Sequence, residues 1–136
     1  MKYGSVIVTE KKLEAYKKET AALVRRFLRL MGENDGYVEI YLVGNKFMEK
    51  NVLSFPAPND VPRPDIKGKM LGEVYLNPIY IKSKKENFKY MLIHGLLHLL
   101  GYDHKRKTDR IVMEQKENEL LVLLLDRQHP KKGKRT

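Results

Sequence analysis

An α+β fold is predicted by three features of the sequence. Residues 37–43 place Val38, Ile40 and Leu42 at alternate positions, the period of a half-buried strand. Residues 87–100 are apolar almost all round, as a helix through the middle of a small molecule must be. Other short strand-like and helical segments surround these two, with no period of 20 to 50 residues that would signal a solenoid or propeller. With 136 residues and 16.0 kDa, the chain suits one compact domain, expected over residues 1–127.

Residues 5–8 form a short β-branched strand, and Thr9 is positioned to cap a following helix. Leu13, Tyr16, Leu23, Phe27 and Met31 recur along that helix at helical spacing, while Lys17, Lys18, Arg25, Arg26 and Arg29 fall mostly on its other face. Gly32 supplies its stop. After the strand at 37–43 comes a third extended segment, Val52 to Phe55, ended by Pro56. Pro56, Pro58, Pro62 and Pro64 then mark a surface loop. Leu71 to Leu76 is a fourth strand, closed by Asn77-Pro78. The apolar helix breaks at Gly101, and a last helix covers roughly 108–127. Residues 128–136 carry Lys131, Lys132, Lys134 and Arg135 without an acidic partner, the pattern of a basic disordered tail.

Composition narrows the chemistry. The longest apolar run, Leu120 to Leu125, is far shorter than the ~20 residues that cross a bilayer. No membrane role is expected. Val6-Ile7-Val8 is too short for a secretory h-region, so the expected location is cytoplasmic. The absence of cysteine excludes disulfides, thiolate metal clusters and cysteine nucleophiles, leaving histidine and carboxylate as metal ligands. Lysine and arginine exceed aspartate and glutamate by 27 to 17, a net charge of +10 that favours a polyanionic partner, nucleic acid above all.

Three of the four histidines fall in the run His94-Gly-Leu-Leu-His98-Leu-Leu-Gly-Tyr-Asp-His104. Residues four apart on a helix differ by ~40° in azimuth and ~6 Å in height, so His94 and His98 can reach one ion. His104 would point elsewhere on a continuing helix. Gly101 resolves this by adopting a left-handed conformation that ends the helix and turns the chain back. Three imidazoles with an open fourth position are the pattern of a catalytic zinc site, with nickel or iron as alternative ions.

The spacing is that of the metzincin proteases, but Gly95 stands where their catalytic glutamate stands. Without that general base a peptidase forfeits ~10²–10⁴ in rate, so metallopeptidase becomes a minor alternative. Hydrolysis as such survives, because zinc brings the pKa of bound water near ~7.

Together with Asn51-Val-Leu-Ser-Phe-Pro56, Leu71-Gly-Glu-Val-Tyr-Leu76 and Met113-Glu114 with Glu117, the histidine run resembles the YbeY-type ribosomal RNA maturation endoribonucleases. The resemblance implies a zincin-like single domain, one Zn2+ on His94, His98 and His104, and single-strand endoribonuclease activity in ribosomal RNA maturation and ribosome quality control. It makes ribosomal RNA and the small ribosomal subunit the implied partners. Members usually carry a Tyr/Phe-Arg pair before the Val-Leu-Ser-Phe block, and that arginine is associated with substrate binding or catalysis. Here the segment reads Gly44-Asn-Lys-Phe-Met-Glu-Lys-Asn51, shorter and without arginine. Either Lys46 or Lys50 serves as a point charge in its place, or phosphate handling is altered.

Asp103 is placed to orient an imidazole or assist the metal's water, or else to cap the turn. Ser54 is a candidate cleft residue, Met113 a candidate floor beneath the metal, and His129 has no assigned role. The reading is a small mostly parallel sheet packed with the first helix and a central metal-bearing helix, the strand at 71–76 bordering the cleft. The preferred function is metal-assisted cleavage of RNA phosphodiesters, with attack by water or by the 2′-hydroxyl both open. A non-catalytic ribosome-assembly factor with a structural metal is the main rival.

Overall fold

The alternating segments assemble into one sheet in the computed structural model of the chain, which describes residues 3–58 and 68–125. Among these residues, β1 (Gly4–Val8), β2 (Gly36–Leu42), β3 (Val52–Pro56) and β4 (Lys69–Leu76) form a four-stranded sheet in the order β1-β2-β4-β3. Both β1 and β4 run parallel to β2, while β3 runs antiparallel to β4 at the edge. The sheet is therefore mostly parallel, as expected. Register sets Val6 beside Ile40 and Ile40 beside Val74. Alternation then gathers Val6, Val38, Ile40, Leu42, Val74 and Leu76 on one buried face.

That face is covered by α1 (Lys17–Leu30) over β1 and by α3 (Phe88–Leu99) over β3 and β4. Leu23, Val24, Phe27 and Leu28 of α1 and Leu92, Ile93, Leu96 and Leu97 of α3 fill the space between. On the opposite face Tyr41 and Tyr75 stack with ring centroids 4.6 Å apart. Tyr75 Oη donates to Glu73 Oε1 at 3.1 Å, and partial burial, helped by that carboxylate, pushes the Tyr75 phenol up to about 12.

Three local expectations are corrected. Thr9 does not cap a helix: its hydroxyl donates to the Leu42 carbonyl at 2.9 Å, extending the β1–β2 pairing. The chain instead enters α1 through a 3₁₀ turn over Lys11–Tyr16. Asn77-Pro78 does more than end a strand. It opens a short helix, α2 (Pro78–Ser83), with the Asn77 side chain accepting from Tyr80 N at 3.0 Å and proline in the first turn. The wholly buried Asn77 amide also donates to Asn45 Oδ1 and the Met48 carbonyl, anchoring the β2–β3 connection. Gly32, at φ 74°, ends α1 as anticipated.

The closing helix, α4, runs over Lys107–Leu125. It is tied to α1 where Arg26 Nη2 donates to the Leu124 carbonyl at 2.6 Å. The tail 128–136 and most of the proline-rich loop lie outside the described residues.

Candidate metal centre

Helix α3 starts at Asn87, whose side chain accepts from Tyr90 N at 2.8 Å, and stops at Gly101, whose φ is 99°. Gly101 N donates to the His98 carbonyl and Tyr102 N to the Leu97 carbonyl, both at 3.1 Å. This pair of bonds is the Schellman arrangement and reverses the chain over the end of the helix. Asp103 Oδ1 accepts from Lys105 N at 3.2 Å, so Asp103 caps the turn on which His104 is carried.

The turn brings the three histidines together. His94 and His98 are partly buried on α3, His104 is exposed, and one ring nitrogen from each lies within 4.8 Å of the others. His94 Nε2 and His98 Nε2 are 3.2 Å apart. Two nitrogens bound tetrahedrally at ~2.0–2.1 Å from zinc stand ~3.3–3.4 Å apart, so this spacing suits a shared ion. Burial, reinforced by the positive charge that His94 and His104 would carry, lowers the His98 pKa below its ordinary value, with a backbone hydrogen bond at Tyr102 and the Asp103 carboxylate opposing. A ring that resists protonation keeps the lone pair a metal ligand needs.

The support for His94 is a residue that sequence reasoning did not single out for a role. Glu117, 2% exposed on α4, places Oε2 at 2.5 Å from His94 Nδ1. Its other oxygen accepts from Tyr90 Oη at 2.6 Å. A carboxylate only accepts, so Nδ1 carries the proton and Nε2 presents its lone pair to the cluster. Burial and the bond to Glu117 raise the Tyr90 pKa, which keeps its phenol a donor. The signal was legible: Met113, Glu117, Leu120 and Leu124 recur at helical spacing, so Glu117 falls on the apolar stripe of α4.

A Cβ placed on Gly95 would come within 2.9 Å of Val74 Cγ1, 3.0 Å of Val52 Cγ2 and 3.1 Å of Ser54 Oγ. The absent side chain thus allows α3 to lie directly on the sheet. Ser54 Oγ donates to the Gly95 carbonyl at 2.8 Å across the same contact.

The histidines open into a cavity of about 980 Å³. Its strand wall is β3, through Val52, Leu53, Ser54 and Pro56, and not the 71–76 strand anticipated from sequence. The reason is the antiparallel return of β3, which leaves β4 inside the sheet. Met113 is buried and reaches the cavity, as do Asp103 and Lys50, whereas Lys46 is exposed and does not line it. Lys105, Arg110 and Glu114 line it as well, unassigned in the sequence reading. His129 lies outside the described residues.

Fold and site together define an α+β protein with a three-histidine centre able to hold one metal ion. The family model described as Endoribonuclease YbeY matches residues 6–124, and the chain belongs to the YbeY family. It is similar to Endoribonuclease YbeY of Bartonella quintana (strain Toulouse), with 38% identity over 88 residues, 59% of this chain and 55% of that protein. It is also similar to Endoribonuclease YbeY of Xylella fastidiosa (strain 9a5c), with 34% identity over 106 residues, 71% of this chain and 66% of that one. The matched stretches thus span little more than half to about two thirds of these relatives. In fold it resembles the solution structure of TM1509 from Thermotoga maritima, with a TM-score of 0.58 and 21% identity over 97% of this chain and 99% of that one.

Proposed function

We propose that the chain is a zinc-dependent, single-strand endoribonuclease acting in ribosomal RNA maturation and ribosome quality control in the cytoplasm, with the small ribosomal subunit as its partner. The observation that carries the proposal is the Glu117-supported histidine cluster opening into a cavity whose lining includes the cations Lys50, Lys105 and Arg110. The name of these relatives, Endoribonuclease YbeY, supports RNA as the substrate.

In this reading His94, His98 and His104 hold the ion, with nickel or iron as substitutes. When bound, zinc supplies Lewis acidity toward a phosphoryl oxygen and lowers the pKa of water. The protein does the rest. Glu117 fixes the tautomer and ring plane of His94, and the Gly101 turn with its Asp103 cap fixes His104. Cationic side chains of the wall hold the RNA backbone while the cavity admits an unpaired strand. Residues 1–127 form the working domain, and the basic residues of 128–136 add phosphate contacts.

Two observations weigh against the rivals. A structural zinc site normally closes with four protein ligands, whereas the described residues offer a cluster of three facing a cavity. The peptidase glutamate has no room at position 95, where even a methyl group meets Val74 and Val52.

The test is His98→Ala beside wild type. Wild type should carry one metal per chain and cleave single-stranded RNA, and chelation should stop it. His98→Ala should lose metal and cleavage while keeping most RNA affinity, because binding is spread over many cations elsewhere. A cooperative melt of the variant is required before its inactivity is interpreted. Wild-type cleavage no greater than that of His98→Ala would refute the nuclease reading in favour of the assembly factor.

A further inference from the structure

Three cationic side chains of the cavity wall have no ionic partner among the described residues: Lys50 before β3, Lys105 beside His104, and Arg110 in the first turns of α4. Nearby cations are already engaged, Arg106 with Asp109 at 3.2 Å and Lys116 with Glu119 at 3.3 Å. The three free ones come from separate segments yet face the space into which the histidines open.

Arg110 differs from the two lysines in its mounting. It stands three residues before Met113 and seven before Glu117, so it continues toward the N-terminus the stripe by which α4 packs on α3. Met113 and Glu117 are buried along that stripe, while Arg110 is exposed at its end. Its Cα lies ~10 Å along the helix axis from that of Glu117. Its charge is therefore held to one side of the histidine cluster, on a rigid element rather than a loop. The planar guanidinium offers two parallel donors to a phosphate, which neither lysine can do. One helical turn further on, the Glu114 carboxylate also lines the cavity. It forms no ion pair with Arg110 among the described residues, and its negative charge disfavours a phosphate beside it.

From this geometry we infer that Arg110, assisted by Lys105 and Lys50 of the same cavity lining, is the phosphate anchor of the cavity. It grips a backbone phosphate of single-stranded RNA adjoining the one presented to the histidines. The inference rests on the nuclease reading above and names the residue that sets the strand's position in it. It also moves the anchoring role away from Lys46, which lies outside the cavity.

The experiment is steady-state cleavage of a fluorescent single-stranded RNA by the metal-loaded full chain over a range of salt concentrations. Arg110→Ala should raise KM about tenfold, the loss expected for a charge-assisted hydrogen bond, and leave kcat within about twofold, because the contact is made equally in ground and transition states. It should flatten the salt dependence of kcat/KM by about 0.7 in the log–log slope, one phosphate contact on a single strand. Arg110→Lys should restore the slope but not KM. Lys18→Ala, on the exposed side of α1, should alter neither, and all variants should keep wild-type metal content. Wild-type KM and slope in Arg110→Ala, with wild-type enzyme active, would overturn the anchor and leave the nuclease reading standing. So would a KM rise produced by Lys46→Ala and not by Arg110→Ala. An inactive wild type would refute the nuclease reading and take the anchor with it.

Discussion

Replacing Glu117 with glutamine tests whether the site is assembled from outside the three histidines. The carboxylate accepts from His94 Nδ1 at 2.5 Å and from Tyr90 Oη at 2.6 Å in surroundings that leave it 2% exposed. Glutamine has the same shape but only one acceptor oxygen, the other position becoming an NH₂ donor. One of the two incoming donors then meets another donor. The Tyr90 hydroxyl can turn away. If His94 yields instead, its proton moves to Nε2 and removes the lone pair facing His98. Loss of such an outer partner lowers metal affinity ~10–100-fold, about 1.4–2.7 kcal/mol. The buried mismatch should cost the fold a further ~1–3 kcal/mol. The assay is zinc competition against a chromophoric chelator at neutral pH, alongside thermal melts of the metal-free proteins. Tyr90→Phe leaves the acceptor on His94 intact and should weaken zinc less. Zinc binding by Glu117→Gln as tight as wild type would refute the argument that Glu117 sets the tautomer.

Gly95→Ala should lower the melting temperature. Crowding against Val74, Val52 and Ser54 costs ~1–3 kcal/mol, more than the ~1 kcal/mol that alanine gains over glycine in a helix; a melt at or above wild type would contradict the packing account. On the opposite face of the sheet, Tyr75 should ionise near pH 12 rather than ~10. Because the folded value lies above the unfolded one, its stabilising contribution is complete below pH ~10 and is lost as pH rises toward 12. Absorbance titration of the tyrosinate band should show that late step moving to lower pH in Glu73→Gln, and an unchanged alkaline limb would count against the Glu73 contact.

The elements that generate the site were legible because each obeys a local rule. Alternation marked β2, all-round apolarity marked α3, and a glycine after the second histidine marked the reversal that presents His104. Thr9 misleads because a hydroxyl before a helical pattern is an ordinary cap, and only the β1–β2 pairing places the Leu42 carbonyl beside it. Asn77-Pro78 carries two meanings, strand end and helix start, and only the structure shows the helical one. Glu117 lies on a visible apolar stripe, but its purpose depends on α3 packing there with His94 and Tyr90 facing it. The strand bordering the cavity is decided by the non-local order β1-β2-β4-β3, on which the chain between β3 and β4 carries no local signal.

The bare backbone at Gly95 also limits how this fold can diverge. An acid beside the first histidine is one substitution away in the sequence but is separated from function by a packing barrier. Val52 and Val74, on two strands, already crowd a methyl group between α3 and the sheet, so a side chain as long as glutamate requires both to give way. Each shrinkage taken alone would open a void in the core and lower stability, so the intermediates are less stable than the starting chain. In a laboratory lineage, the route from this scaffold to a glutamate-assisted hydrolase therefore runs through coordinated changes in the strands as well as in the histidine helix.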